Sequence, residues 1–100
     1  MSYDEFIAKL QSKHDLTFKH LGGRWWSVKH RTSLVIGKGE ENRIVFGVLK
    51  TSALAKSDLF TCNPYKARNN KIYDQVEMPN YQAAELFFEF IVNGYIDLHP

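Results

Sequence analysis

Apolar residues recur along this chain with two periods. Over residues 3–13, Tyr3, Phe6, Ile7 and Leu10 fall at helical spacing. Ser2, followed three positions later by Glu5, is a capping-box pattern that opens a helix. Lys13 and His14 suit the negative end of that helix's dipole. The next stretch, "DLTFKHLGGRWWSVKHR", reads as a hairpin about Gly22-Gly23. A three-residue loop with His20 opposite Trp26 puts Leu16, Phe18, Trp26 and Val28 on one face. Thr17, Lys19, Ser27, Lys29 and Arg31 then share the other, and Trp25 joins them near the turn. A two-residue loop mixes the sets, so this register is preferred. It predicts a buried Trp26 and a substantially exposed Trp25 on a basic face.

"TSLVIGKGEENRIVFGVLK" predicts a second hairpin, with strands Leu34 to Ile36 and Ile44 to Leu49 around a polar turn. "TSALAKSDLF" suggests a short helix capped by Ser52, and "TCNPYKARNN" reads as a loop carrying the turn pairs Asn63-Pro64 and Asn69-Asn70. "KIYDQVEM" sets Ile72, Asp74, Val76 and Met78 against Tyr73, Gln75 and Glu77, which fits an outer strand stopped by Pro79. Asn80 then caps a helix with an apolar stripe of Ala83, Phe87, Phe90 and Ile91, and Gly94 suits its C′ position. The elements predict an α+β domain over residues 1–100. An antiparallel sheet of about four to five strands packs against N-terminal and C-terminal helices.

With 100 residues and 14% aromatics, the chain has bulk for one core. "AAELFFEFIV" is broken by Glu85 and Glu89 and is too short to span a bilayer, so no membrane partner is expected. A single cysteine, Cys62, excludes an internal disulfide and fits a reducing, cytoplasmic compartment. The net charge is only +2, yet it is unevenly spread. Residues 16–31 and 59–73 carry basic residues and no acid, whereas residues 74–100 carry acids and no Lys or Arg. Such asymmetry bears on partners rather than on fold.

The chemistry-bearing residues do not form an enzyme signature. The four histidines are not at metal-ligand spacing, HExxH and CxxC are absent, and neither Gly22-Gly23 nor "GKG" matches a nucleotide fingerprint. Cys62 as a nucleophile needs an activating base, and a structural thiol is the expectation. Asp74 beside Lys71 reads as a surface ion pair. No catalytic residue, metal or cofactor is therefore expected. The binding candidates are Lys19, Arg24, Trp25, Lys29 and Arg31 in the first hairpin, and Tyr65, Lys66, Arg68 and Lys71 in the later basic segment. Lys and Arg bind phosphates and an indole stacks on bases. Trp, Tyr and Arg equally anchor protein interfaces.

The order of elements resembles the double-wing domain of MotA-type phage transcription activators and the YjbR/MmcQ group. "YKARNNKIYDQVEMPNYQAAELFFEFI" looks like that family's basic turn, strand and closing helix, and "LTFKHLGGRWWSVKHR" is similar to its first wing. Asn69-Asn70 stands where the family turn has glycine, and Trp25-Trp26 has no counterpart. The resemblance implies a DNA-binding sheet face contacted by Lys19, Lys29, Arg31, Lys66, Arg68 and Lys71. The residues and the resemblance together leave two expectations. One is a small non-enzymatic protein of phage or bacterial origin that inhibits or modulates a host protein or nucleoprotein. The other is a double-wing protein that binds DNA.

Overall fold

The computed structural model describes residues 1–29, 34–52, 54–56, 60, 64–66 and 71–96. Helix α1 (Tyr3–His14) is followed by strands β1 (Phe18–Gly22), β2 (Trp25–Val28), β3 (Leu34–Lys38) and β4 (Ile44–Leu49). A 3-10 turn (Leu54–Lys56), β5 (Pro64–Lys66), β6 (Ile72–Met78), helix α2 (Tyr81–Ile91) and a π turn (Val92–Ile96) complete the order. The six strands form one antiparallel sheet in the order β1-β2-β3-β4-β6-β5. The α+β class expected from the residue pattern is the fold observed.

Helix α1 opens with the capping box. Ser2 Oγ accepts from the Glu5 amide (3.2 Å), and the Glu5 carboxylate accepts from the Ser2 amide (3.0 Å). These bonds hold the Glu5 carboxyl below its ordinary range. Helix α2 is capped by Asn80, whose Oδ1 accepts from the Ala83 amide at 2.8 Å.

Phe6, Ile7 and Leu10 of α1 and Ala84, Phe88 and Ile91 of α2 are buried against Phe18, Val28, Leu34, Ile36, Ile44, Phe46 and Val48. Those strand residues all belong to one alternation set, so both helices pack on the same face of the sheet. The Phe88 ring meets His14 at 5.4 Å, Phe18 at 5.8 Å and Phe46 at 6.4 Å, which ties α2 to α1, β1 and β4. Charge fastens the same helix pair. Lys9 reaches Glu85 at 2.8 Å, and Lys13 pairs with both Glu85 and Glu89.

Several expectations need correction. The segment read as a loop contains strand β5, so β6 is not the outer strand; β5 lies outside it. The buried stripe of α2 is Ala84, Phe88 and Ile91, with Phe87 partly packed, while Phe90 is 58% exposed. Gly94 is not a C′ residue, because the chain continues through the π turn with Val92 in right-handed helical angles. The short helix after Ser52 is a single 3-10 turn, with Ser52 Oγ accepting from the Ala55 amide at 3.3 Å. Cys62, Arg31 and Arg68 lie outside the described residues.

Truncating Phe88 to Ala should cost about 3–5 kcal/mol, as for a large core aromatic. Phe90→Ala should stay within about 1 kcal/mol. Urea unfolding of the two variants measures the contrast, and equal losses would refute this orientation of α2.

His14 adds a pH dependence. Its Nε2 is covered and has no hydrogen-bond partner among the described residues. Burial lowers its pKa from the ordinary 6.5, assisted by Lys13 and opposed by Glu89 and Glu85. The folded protein thus holds this proton more weakly than the unfolded chain. The contribution is complete above the ordinary value and is lost as pH falls through the lowered one. Stability measured from pH 7.5 to 5 should fall more steeply in the wild type than in His14→Gln.

Candidate functional site

The first hairpin has the expected register, with Phe18 opposite Val28, Lys19 opposite Ser27 and His20 opposite Trp26. Its closure differs from the expected three-residue loop. Gly22 pairs with Trp25 and the ladder shifts between His20 and Gly22, so a tight turn at Gly23-Arg24 is combined with a bulge at Leu21. Gly22 (φ 110°) and Gly23 (φ 54°) both occupy the left-handed half of backbone space, where side chains are strained. The Gly-Gly pair is therefore required by this turn.

Trp26 faces the helices and Trp25 the opposite side, as the alternation predicts, but both are half-buried. Trp26 lies near the sheet's edge, where its cover includes the exposed His20 ring at 4.6 Å. Trp25 loses exposure for a different reason. Trp26 pairs with Ile36, so Trp25 stands across from Gly37. The indole fills the space a side chain would take. A Cβ on Gly37 would sit 2.5–2.8 Å from three atoms of the Trp25 ring. The Arg24 guanidinium lies over that ring, 6.0 Å from its centroid. The turn is tied to the core from below. The Tyr3 hydroxyl donates to the Arg24 carbonyl (2.7 Å) and lies 3.1 Å from the Ile36 carbonyl. Burial raises the Tyr3 phenol well above its ordinary pKa and keeps it a donor.

The rest of this sheet face bears half-buried Val35, Val45, Leu49 and Tyr73, with the polar Gln75 opposite Gly47 and the exposed Glu77 opposite Val45. Gly47 leaves a second gap, with Val35 and Tyr73 at its borders; a Cβ there would meet Val35 Cγ2 at 3.0 Å and Tyr73 Cδ1 at 3.8 Å. Burial raises the Tyr73 phenol as well. The part of the face around Val35, Val45, Leu49 and Tyr73 is apolar, and no described helix lies over it.

The basic candidates whose backbone is described lie at two separate edges of the sheet. Lys19 and Lys29 belong to the β1–β2 edge, and Lys66 and Lys71 to the β5–β6 edge. The five strand spacings between β1 and β5 amount to roughly 24 Å. Tyr65 stands opposite Tyr73 in the register, and Lys71 is exposed. Lys19, Arg24 and Lys29 are exposed with no carboxylate within ion-pair distance among the described residues. Asp74, read as half of a surface ion pair, is instead 5% exposed on the helix-facing side between Val48 and Pro64. Its Oδ1 has no hydrogen-bond partner among the described residues. The period-2 pattern already put it with Val76 and Met78, and that signal outranked its charge. Among the described residues, no cluster of three or more His, Cys, Asp or Glu is placed to hold a metal ion. None of the described helices is long and apolar enough to cross a membrane.

If the indole rests on Gly37, adding a methyl group there must displace it. Gly37→Ala should cost about 1–3 kcal/mol. With Trp26 replaced by Phe, so that Trp25 is the sole indole, acrylamide quenching should rise. Without the contact, the same change in a strand would be neutral or stabilising through the unfolded state.

No protein-family model, curated protein or solved structure matches the chain.

Proposed function

We propose that this is a non-enzymatic protein that binds a protein target, or the protein part of a nucleoprotein, and inhibits or modulates it. The first hairpin and the adjoining sheet face are the docking surface. The carrying observation is the stack of Arg24 on Trp25 on Gly37, beside Lys19 and Lys29, which have no carboxylate partner among the described residues. Trp and Arg are the side chains that most often dominate a protein interface. Here the indole is already laid against a rigid strand, so little side-chain freedom is lost on association. The centre of the face, Val35, Val45 and Leu49, is apolar. A nucleic acid tracking across it would leave one basic edge, cross that centre, and meet the other edge roughly 24 Å away. A protein surface suits this arrangement better than a phosphate backbone, which favours a continuous basic groove. A reducing cytoplasm, of the host if the protein is phage-encoded, is the proposed setting; it rests on the lone cysteine.

The test is affinity capture with wild-type and Trp25→Ala baits, each shown to be folded at the capture temperature, with and without nuclease. A protein retained by the wild type, resistant to nuclease and lost from Trp25→Ala is expected. The loss should appear mainly as faster dissociation. Nuclease-sensitive capture would refute the protein reading. So would duplex DNA binding with a log–log salt slope of about −0.9 per phosphate contacted, and either would support the double-wing DNA reading.

A further inference from the structure

The hydrogen-bond phase of the first hairpin leaves part of the sheet edge open. The Lys29 amide donates to the Thr17 carbonyl at 2.9 Å, which makes Thr17 and Lys29 a hydrogen-bonded pair. Such pairs recur every second residue in an antiparallel ladder, so Lys19 and Ser27 form the next one. Phe18 and His20 therefore turn their peptide groups away from β2, toward the outer edge. The first outward donor is closed, because the Phe18 amide donates to Gln11 Oε1 at 3.0 Å. Beyond it, the Phe18 carbonyl and the His20 amide and carbonyl remain on an edge where Lys19, His20, Leu21 and Gly22 are all exposed. The opposite edge, β5, is only three residues long and begins with a proline, which has no N–H to donate.

Charge identifies what the open edge would accept. Lys19, Arg24 and Lys29 surround it without a carboxylate partner among the described residues. Residues 16–31 contain no Asp or Glu that could supply one. Several other cations are engaged elsewhere: Lys9 and Lys13 pair across the two helices, Arg43 reaches Glu77 at 3.3 Å, and Lys38 donates to carbonyls of the following turn. Exposed Lys50, at the end of β4, has no carboxylate partner among the described residues. We infer that β1 takes up an extended acidic segment of the protein target, which pairs with the Phe18–His20 backbone as a seventh strand and sets its carboxylates against Lys19, Arg24 and Lys29. This rests on the protein-binding reading and specifies the chemistry of the partner's segment. Backbone pairing supplies the geometry of such strand addition, and the side chains supply its selectivity. The competing explanation is that Lys19 only guards the edge against self-association, a common use of an edge lysine.

The probes are end-blocked peptides of about eight residues, near the length of a typical strand. One alternates Thr and Glu, one alternates Thr and Lys, and the third is the Thr-Glu peptide with every backbone nitrogen methylated, so that neither of its edges can donate. Each is titrated into the isotope-labelled full chain and followed by amide resonances and hydrogen exchange. The Thr-Glu peptide should shift Lys19, His20 and Leu21 and slow exchange at the His20 amide. The methylated peptide keeps every charge but cannot pair fully, and it should bind at least about tenfold more weakly. The double variant Lys19→Ser, Lys29→Ser, whose positions are exposed, should weaken the Thr-Glu peptide by a similar factor. The inference is overturned if the Thr-Glu peptide fails to bind. It is also overturned if the methylated peptide binds equally well, if the Thr-Lys peptide matches the Thr-Glu peptide, or if a DNA duplex protects the His20 amide instead. Self-association of the double variant with unchanged peptide affinity would assign Lys19 to edge protection and overturn the inference too. Capture that depends on Trp25 but is unaffected by the peptide would leave the broader protein-binding reading standing.

Discussion

The position of one ring, Phe88, decides which side of the sheet becomes the interior. It contacts His14 at the end of α1, Phe18 on edge strand β1 and Phe46 on β4. Three elements, α1, β1 and β4, are thus held against a single α2 side chain with no exposure. Burying an aromatic of this size contributes stabilisation of the order of the loss seen on its truncation, about 3–5 kcal/mol. That is a large share of a small domain's margin of about 5–15 kcal/mol. Once α2 lies on Phe46, α1 must lie beside it, because Lys9 and Lys13 reach Glu85 and Glu89 across the helix pair. Both helices are then committed to one face.

The other face has no described helix over it, and it is stabilised by subtraction. Gly37 and Gly47 remove side chains from the two strands at the middle of the sheet, and larger neighbours fold into the vacated space. Trp25 lies on Gly37, while Val35 and Tyr73 close over Gly47. Glycine in a strand weakens it on its own account; here the aromatic laid over Gly37 offsets that cost and keeps water from the backbone. The same packing fixes the indole in one orientation. A surface whose large side chains are already immobilised is suited to recognition, because ordering them costs little when a partner arrives. Local stability and the proposed binding role therefore rest on the same contact.

Much of this was legible in the residues. The α1 capping box, the His20–Trp26 register, the strands of the second hairpin and the Asn80 cap each follow from short-range patterns. What escaped depended on information from outside the local window. In "AAELFFEFI", apolar residues cover so much of the helix surface that two stripes fit, and only the sheet selects Phe88 over Phe90. Strand β5 is three residues long and lacks an alternating pattern to announce it. Trp25 was assigned to the correct side, but its cover was invisible, because the pairing of Trp25 with Gly37 depends on the β2–β3 register. Residues 30–33 separate those strands and carry no turn signal to fix that register. The two basic segments could be counted in the sequence, but their placement at opposite edges follows from the strand order alone.

The charge asymmetry of the sequence acquires a different meaning in the fold. A basic middle and an acidic end suggest that the two halves neutralise each other. They do so only in part. Glu85 and Glu89 engage Lys9 and Lys13, cations of the first helix rather than of the hairpin. Lys9 and Lys13 hold the Glu85 carboxyl below its ordinary range, and Glu89 and Glu85 raise Lys13 above its own. These carboxylates are therefore engaged at the helix pair on the far face of the sheet, and none of them is within ion-pair distance of Lys19 or Lys29. The net charge of +2 consequently understates the positive field at the hairpin. An approaching surface meets cations with no acid within ion-pair distance among the described residues, and a planar aromatic already in place, so long-range attraction and short-range contact act at the same edge.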